Sequence, residues 1–173
     1  MNLSIFKKTR PASLAFAMLL GSGLMPHVAD AAGQDVAARN KQIVSEAFER
    51  WAAGGNGFFT EVLTADIVWT IKGSGPSAGV YQGRERFIEK AVRPFVSRLS
   101  SPVRPVSKQV WADGDHVIVQ WEGAGVARDG QAYDNSYAWI FHMRNGKAVE
   151  ATAFLDLVPY DDVLRRIPAP AVE

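Results

Sequence analysis

The chain has 173 residues, of which 47% are hydrophobic and 21% are charged, and its formal net charge at pH 7 is +1. This composition is typical of one globular domain, and it excludes intrinsic disorder and a fibrous repeat. Because the sequence contains no cysteine, it also excludes disulfide bonds and a lipid anchor on a thiol.

The first 31 residues are typical of a secretory signal peptide. Three basic residues precede an apolar run over 12–25, and a small-x-small cleavage site ends at Ala31. The run has about 14 residues, whereas a membrane-spanning helix needs about 20, so cleavage is favoured over an uncleaved anchor. Cleavage removes three of the 19 basic and one of the 18 acidic residues, leaving 16 against 17. We therefore expect a periplasmic or secreted domain over 32–167 that binds no nucleic acid and has no stable membrane insertion.

Helices are predicted in the first half of this domain. From Asp35 onward, apolar residues recur at three- and four-residue steps and predict an amphipathic helix, which glycines after position 53 end. A short second helix is predicted over 58–63. A third helix has one apolar face that includes Phe87 and Phe95, and Pro94 predicts a kink or an early end near Arg93.

Strands dominate the rest of the chain. Alternation of Ile67, Trp69 and Ile71 predicts a first strand, and Val80 with Tyr81 indicates a short second one. Four long strands follow over 103–112, 116–127, 131–143 and 148–158. Asp-Gly or Asn-Gly pairs separate them and favour tight hairpins, so we expect antiparallel neighbours. A last helical turn is predicted over 161–167, with a frayed tail over 168–173.

This order of elements predicts an α+β fold in which helices pack on one face of a bent antiparallel sheet. The third long strand indicates which face is buried, because its alternate residues carry most of its aromatic rings. These residues are Tyr133, Asn135, Tyr137, Trp139, Phe141 and Met143.

The residues and their spacing over about 36–158 resemble the SnoaL-like proteins of the ketosteroid-isomerase-like, or nuclear-transport-factor-two-like, superfamily. The segments that carry the resemblance are Asp66-Ile67-Val68-Trp69, Gly79-Val80-Tyr81-Gln82-Gly83, Tyr133-Asp134-Asn135-Ser136-Tyr137-Ala138-Trp139, Gly146-Lys147 and Phe154-Leu155-Asp156. The resemblance implies a cone-shaped, cystatin-like α+β barrel, with a curved antiparallel sheet and helices on its concave face. It also implies a deep pocket and a homodimer.

The resemblance does not transfer two well-defined catalytic sites of the superfamily. The tyrosine and carboxylate positions of ketosteroid isomerases fall on Phe48 and on Ile71 or Lys72. The arginine and one carboxylate of the epoxide-hydrolase-like members fall on Trp121 and Gly123. None of these side chains has the required chemistry, so neither reaction is favoured.

A third member class, the polyketide cyclases, implies a different catalytic candidate. These enzymes use a pocket aspartate as general acid or base, and the resemblance places Asp156 there. The strand face of Asp156 also carries Phe154, so an inward Phe154 brings Asp156 into the pocket. Asn135 or Tyr137 is then the candidate donor to a substrate oxygen or to Asp156. The alternative, which is favoured for Asp156, is a structural carboxylate that closes the sheet mouth.

The aromatic candidates for substrate binding have a similar alternative, because rings on a sheet face are commonly plain core. They are Trp69, Tyr81, Trp121, Trp139 and Phe154. Two histidines remain in the mature chain, His116 and His142, and their spacing fits no metal-binding motif. We therefore expect neither metal nor cofactor. We therefore expect a domain that binds a small, mostly apolar molecule, with cofactor-free proton transfer of isomerase, cyclase or lyase type as the compatible reaction. A non-catalytic periplasmic binder or a protein-interaction module is the alternative.

Overall fold

The computed structural model describes residues 27–169. The predicted signal region up to residue 26 and the end of the predicted tail, 170–173, lie outside the described residues. The predicted cleavage site at Ala31 lies within the first helix, which begins at His27. Among the described residues, no helix has both the length and the apolar character needed to cross a membrane.

Five α-helices, one π-helical turn and six strands make up the described chain. The helices are α1 (His27–Ala52), α2 (Phe58–Val62), α3 (Arg84–Phe87), the π-turn (Ile88–Val92), α4 (Arg93–Val96) and α5 (Leu157–Arg166). The strands are β1 (Leu63–Ile71), β2 (Gly79–Gln82), β3 (Leu99–Asp113), β4 (His116–Ala127), β5 (Ala132–Arg144) and β6 (Lys147–Leu155).

The six strands form one curved, unclosed sheet in the order β2-β1-β6-β5-β4-β3. The α+β class and the antiparallel hairpins from β3 to β6 are confirmed. The expectation of a wholly antiparallel sheet is wrong at one pair, because β1 and β6 run parallel, with Trp69 opposite Ala151. Parallel neighbours need a long crossover, and here the crossover contains α3, the π-turn, α4 and the four strands β2 to β5.

The third helical region runs without interruption through α3, the π-turn and α4. The Arg93 amide donates to the Ile88 carbonyl, five residues back, which marks the wider π-turn. Pro94 follows at the second residue of α4, directly after the π-turn has changed the hydrogen-bond pattern, and the helix continues to Val96. Of the two alternatives predicted for Pro94, the early end near Arg93 is therefore wrong, and a change of hydrogen-bond pattern lies there. The kink stays a prediction.

The core lies between the concave face of the sheet and the helices. All six residues predicted to share the aromatic face of β5 are buried, which confirms that face. Helix α1 contributes Val44 and Phe48 to the same core, both fully buried. Each large apolar side chain buried here stabilises the fold by about 1.5 to 3 kcal/mol relative to exposure.

Candidate ligand-binding site

A cavity of about 580 Å³ lies between the concave sheet face and the helices. This volume falls within the range of sites that enclose a small organic molecule. The walls are mainly apolar and aromatic. The sheet contributes Trp69, Ile71, Leu99, Val103, Trp121, Tyr137, Trp139, Ala153 and Leu155, and the helices contribute Trp51, Phe58, Phe59, Phe87, Ile88, Val92, Phe95, Val96 and Tyr160.

Three of the five predicted ligand-binding aromatics line this cavity, namely Trp69, Trp121 and Trp139. Trp69 stacks on Phe87 of α3 with a centroid distance of 4.3 Å. It also meets Trp139 edge to face at 5.1 Å. These contacts hold the rings in fixed orientations, because aromatic pairs favour stacked and edge-to-face geometries.

The other two predicted aromatics lie away from the cavity walls. Tyr81 is half-buried in β2, where its ring packs against Phe87 and its hydroxyl donates to the Ser77 carbonyl at 3.1 Å. Phe154 is 45% exposed on the outer face of β6. The expectation of an inward Phe154 is therefore wrong.

Asp156 follows β6 and caps α5. Its backbone is extended, and its carboxylate accepts a hydrogen bond from the Val158 amide at 2.9 Å. The side chain is exposed and does not line the cavity. The expected pocket position of this carboxylate is therefore wrong, because an N-cap carboxylate satisfies a free amide at the start of a helix.

Asn135 is buried behind the cavity wall and holds the junction between β6 and α5. Its Nδ2 donates to the Asp156 carbonyl at 2.8 Å, and its Oδ1 accepts from the Asp156 amide at 3.2 Å. Nδ2 also donates to the Tyr133 hydroxyl at 2.7 Å. Asn135 therefore contacts Asp156 through its backbone and not through the carboxylate, which was the predicted acceptor.

A pair of tyrosines continues this network to the cavity. The Tyr133 and Tyr137 hydroxyl oxygens are 2.9 Å apart, and of the two residues only Tyr137 lines the cavity. Burial raises the pKa of Tyr133 to about 12, and it raises the pKa of Tyr137 well above the ordinary value for tyrosine. Both phenols are therefore neutral donors at physiological pH.

Two polar residues of the wall had no recognisable signal in the sequence. Tyr160 of α5 is buried, and its hydroxyl donates to the Ala91 carbonyl of the π-turn at 3.0 Å. Arg104 of β3 reaches the loop between α1 and α2. Neither residue belongs to a local motif, because long-range packing brings both to the cavity.

The Arg104 guanidinium holds this loop together. It donates to the carbonyls of Trp51, Gly54 and Gly55 and to the Asn56 side chain, at 2.6 to 3.2 Å. Gly54 has a φ of 105°, the left-handed conformation that allows the chain to turn out of α1. Among the described residues, Arg104 forms no salt bridge with a carboxylate, and its guanidinium donates to neutral oxygen atoms.

The family model described as a SnoaL-like domain matches residues 44–151. The chain belongs to the SnoaL-like domain family. No curated protein matches the chain.

Solved structures similar to this SnoaL-like domain share its fold. Bal32a, from a soil-derived mobile gene cassette, is 22% identical, with a TM-score of 0.61 over 75% of this chain and 98% of that one. An NTF2-like protein of unknown function from Burkholderia pseudomallei is 19% identical, with a TM-score of 0.59 over 76% and 98%. TerC, co-crystallized with polyporic acid, is 16% identical, with a TM-score of 0.60 over 73% and 98%.

The walls of this SnoaL-like cavity offer hydrogen-bond donors rather than bases. The described residues that line it include no Asp, Glu or His, and Arg104 carries the one formal charge among them. No group of three His, Asp or Glu side chains within the described chain is arranged to hold a metal ion. The chemistry that these walls support is the enclosure of an apolar body with one or more oxygen atoms as acceptors.

Proposed function

We propose that this SnoaL-like domain binds a small, largely apolar molecule in the aromatic cavity. The observation that carries the proposal is a cavity of about 580 Å³ with tryptophan side chains on both the sheet and the helix sides. Burial of the apolar surface of a ligand against aromatic walls stabilises the complex, and the few polar groups orient the ligand. A neighbour of the same fold, TerC, was co-crystallized with the small molecule polyporic acid.

Binding without turnover is favoured over proton-transfer catalysis. General-base catalysis needs a base within hydrogen-bond reach of the substrate proton. The Asp156 carboxylate caps α5 and does not line the cavity. The described residues that line the cavity include no carboxylate and no imidazole. The isomerase, cyclase or lyase activity expected from the sequence therefore has no base in this site.

The cavity mouth allows a direct test with matched variants. Val96 lines the cavity and is 43% exposed, whereas Val106 is 67% exposed and lies outside the lining. We expect Val96→Trp to weaken binding of ethylnaphthalene at least about tenfold by occupying the mouth, and Val106→Trp to leave it unchanged. Tryptophan fluorescence titration measures both. Equal affinity of the two variants, or no binding by the natural chain, contradicts the proposal.

We also propose that the chain is exported and loses its first 31 residues. Cleavage after Ala31 removes only the first five residues of α1, and within residues 33–52 of that helix the first buried side chain is Asn40. The buried face of α1 that begins at Asn40 is therefore retained after cleavage. The measurement is the intact mass of the protein recovered from the cell envelope or medium of its host. Recovery of the full-length chain in the cytosol contradicts this proposal.

A homodimer is proposed through the outer face of the sheet. Trp111, Ile118 and Ile140 lie opposite one another on β3, β4 and β5, and the first two are 46% and 41% exposed. Such an apolar row is unusual on a solvated face and is typical of an interface. Because a two-fold interface pairs the same patch on both copies, one apolar row provides both sides.

Introduction of a charge into the apolar row tests the dimer. We expect Ile118→Lys to convert the dimer into a monomer in sedimentation measurements, whereas Val158→Lys on exposed α5 has no effect. A monomeric natural chain contradicts the proposal and favours a different protein partner for this face. In that case, changes at Glu150 or His142 on the same face weaken capture of the partner.

A further inference from the structure

The direction of the hydrogen bonds behind the cavity wall is fixed by the backbone of Asp156. A backbone amide only donates and a backbone carbonyl only accepts. The Asn135 side chain meets both groups, so its Oδ1 faces the amide and its Nδ2 faces the carbonyl. Nδ2 therefore donates its second hydrogen to the Tyr133 hydroxyl, which must accept.

The two tyrosine hydroxyls carry two protons, but only one of these can be donated within the pair. Tyr133 is 2% exposed, and within residues 27–169 the one other polar contact of its hydroxyl is the Tyr137 oxygen at 2.9 Å. If Tyr137 donated to Tyr133, the Tyr133 proton would be buried without an acceptor, which costs about 1 to 3 kcal/mol. Donation from Tyr133 to Tyr137 is favoured instead, because the proton then left without a partner is that of Tyr137, the member of the pair that lines the cavity and can meet a bound molecule there.

Donation from Tyr133 leaves the Tyr137 proton uncommitted at the cavity wall. Tyr137 lines the cavity, and no carbonyl or carboxylate of the described residues accepts from its hydroxyl. Each hydrogen bond of the series, from Asn135 to Tyr133 and from Tyr133 to Tyr137, strengthens the next. The free proton is therefore both available and polarised.

We propose that the Tyr137 hydroxyl donates a hydrogen bond to a carbonyl-type oxygen of the bound molecule, so that the cavity selects aromatic carbonyl compounds over hydrocarbons of the same shape. This inference rests on the proposed binding function. Tyr133 and Asn135 do not line the cavity and act as positioning residues for the Tyr137 proton. The positive charge of Arg104, at another part of the wall, also favours an electron-rich oxygen over a cationic ligand.

The test compares two probes of similar shape, acetonaphthone and ethylnaphthalene, which differ in the presence of a carbonyl group. We expect the natural chain to bind acetonaphthone about three- to tenfold more tightly, the ratio that one hydrogen bond provides. The carbonyl stretching frequency of bound acetonaphthone is expected to fall, since a hydrogen bond weakens the C=O bond. Titration calorimetry measures the ratio, and infrared spectroscopy measures the frequency.

Two tyrosine variants separate the proposed donor from a structural effect. Tyr137→Phe keeps the ring and removes the hydroxyl, so we expect it to abolish the preference for acetonaphthone and the frequency shift. Tyr81→Phe is the matched control, because Tyr81 lies away from the cavity walls and its hydroxyl donates to the Ser77 carbonyl. We expect Tyr81→Phe to keep the preference, even where it lowers stability.

Each result has one interpretation. Equal affinity of the natural chain for both probes, or an unchanged preference in Tyr137→Phe, overturns this inference and leaves cavity binding in place. Binding of neither probe overturns the proposed function and this inference with it. If Tyr137→Phe does not fold, the affinity ratio and the carbonyl frequency of the natural chain still decide, since neither needs a variant.

Discussion

The rings of Trp121 and Tyr137 stack face to face across neighbouring strands, with centroids 3.9 Å apart and planes 7° from parallel. The two residues are direct partners in the register of β4 and β5. Gly123, two residues further along β4, leaves the space that this stack requires. A Cβ at that position would lie 2.7 Å from Trp121 Cζ3 and 3.0 Å from Tyr137 Cε2.

Gly123→Ala is therefore expected to displace the stacked pair. Overpacking of a core usually costs about 1 to 3 kcal/mol of folding free energy, and here it also moves two cavity walls. Chemical denaturation and titration with ethylnaphthalene measure the two effects. Gly33→Ala is the control, because an added Cβ at this helical glycine meets no atom within 4 Å. A Gly123→Ala variant with natural stability and affinity contradicts the steric role of this glycine.

Asp156 gives a prediction that separates capping from catalysis. We expect Asp156→Ala to lower the free energy of unfolding by about 1 kcal/mol through loss of the N-cap, and Asp156→Asn to retain most of it. Affinity for ethylnaphthalene is expected to stay unchanged in both variants, since the side chain lies outside the cavity lining. Loss of ligand affinity without loss of stability would show that Asp156 contributes to ligand binding.

The buried Tyr133 predicts how stability depends on alkaline pH. Its pKa rises from 10.0 to about 12 on folding, so the unfolded chain releases this proton first. The stability that it contributes is complete below pH 10.0 and is lost as pH rises toward about 12. We expect Tyr133→Phe to flatten this decline by about 2 to 3 kcal/mol, measured by urea unfolding at several pH values. Tyr81→Phe, at a less buried phenol, should flatten it less.

Arg104 gives a prediction about the loop that follows α1. Arg104→Met removes four donated hydrogen bonds to this loop. Because the site is partly exposed, we expect a loss of about 1 to 3 kcal/mol, together with faster amide exchange at Gly54 and Gly55. Arg86→Met, at an exposed position of α3, should change stability by no more than about 0.5 kcal/mol. Equal effects of the two substitutions would show that Arg104 does not hold the loop.

Local patterns predicted most of the strands because each buried face alternates with a polar one. In β5 the aromatic residues occupy that buried face, so side-chain size and strand alternation predicted the same inward residues. In β6 the two criteria predicted different inward residues. Ala151 and Ala153 face inward because Trp69 and Trp139 lie directly opposite and fill the space, which leaves Phe154 on the outside.

The site was less predictable than the strands. Trp69, Trp121 and Trp139 were recognisable from their strand positions. Arg104 and Tyr160 reach the cavity through contacts with residues far away in the sequence, so no local spacing reveals them. The capping role of Asp156 was hidden because its apparent strand phase continued across the true end of β6 at Leu155.

The parallel pairing of β1 with β6 joins the two parts of the sheet during folding. Strand β6 is the connection between the β2-β1 edge and the three hairpin-linked strands β3, β4 and β5. Until β6 is added, β1 has only the four-residue β2 as a partner, although the 75 residues from 72 to 146 already follow it. A nascent or truncated chain that lacks β6 therefore presents an open β1 edge next to Trp69, which favours aggregation over a smaller native fold.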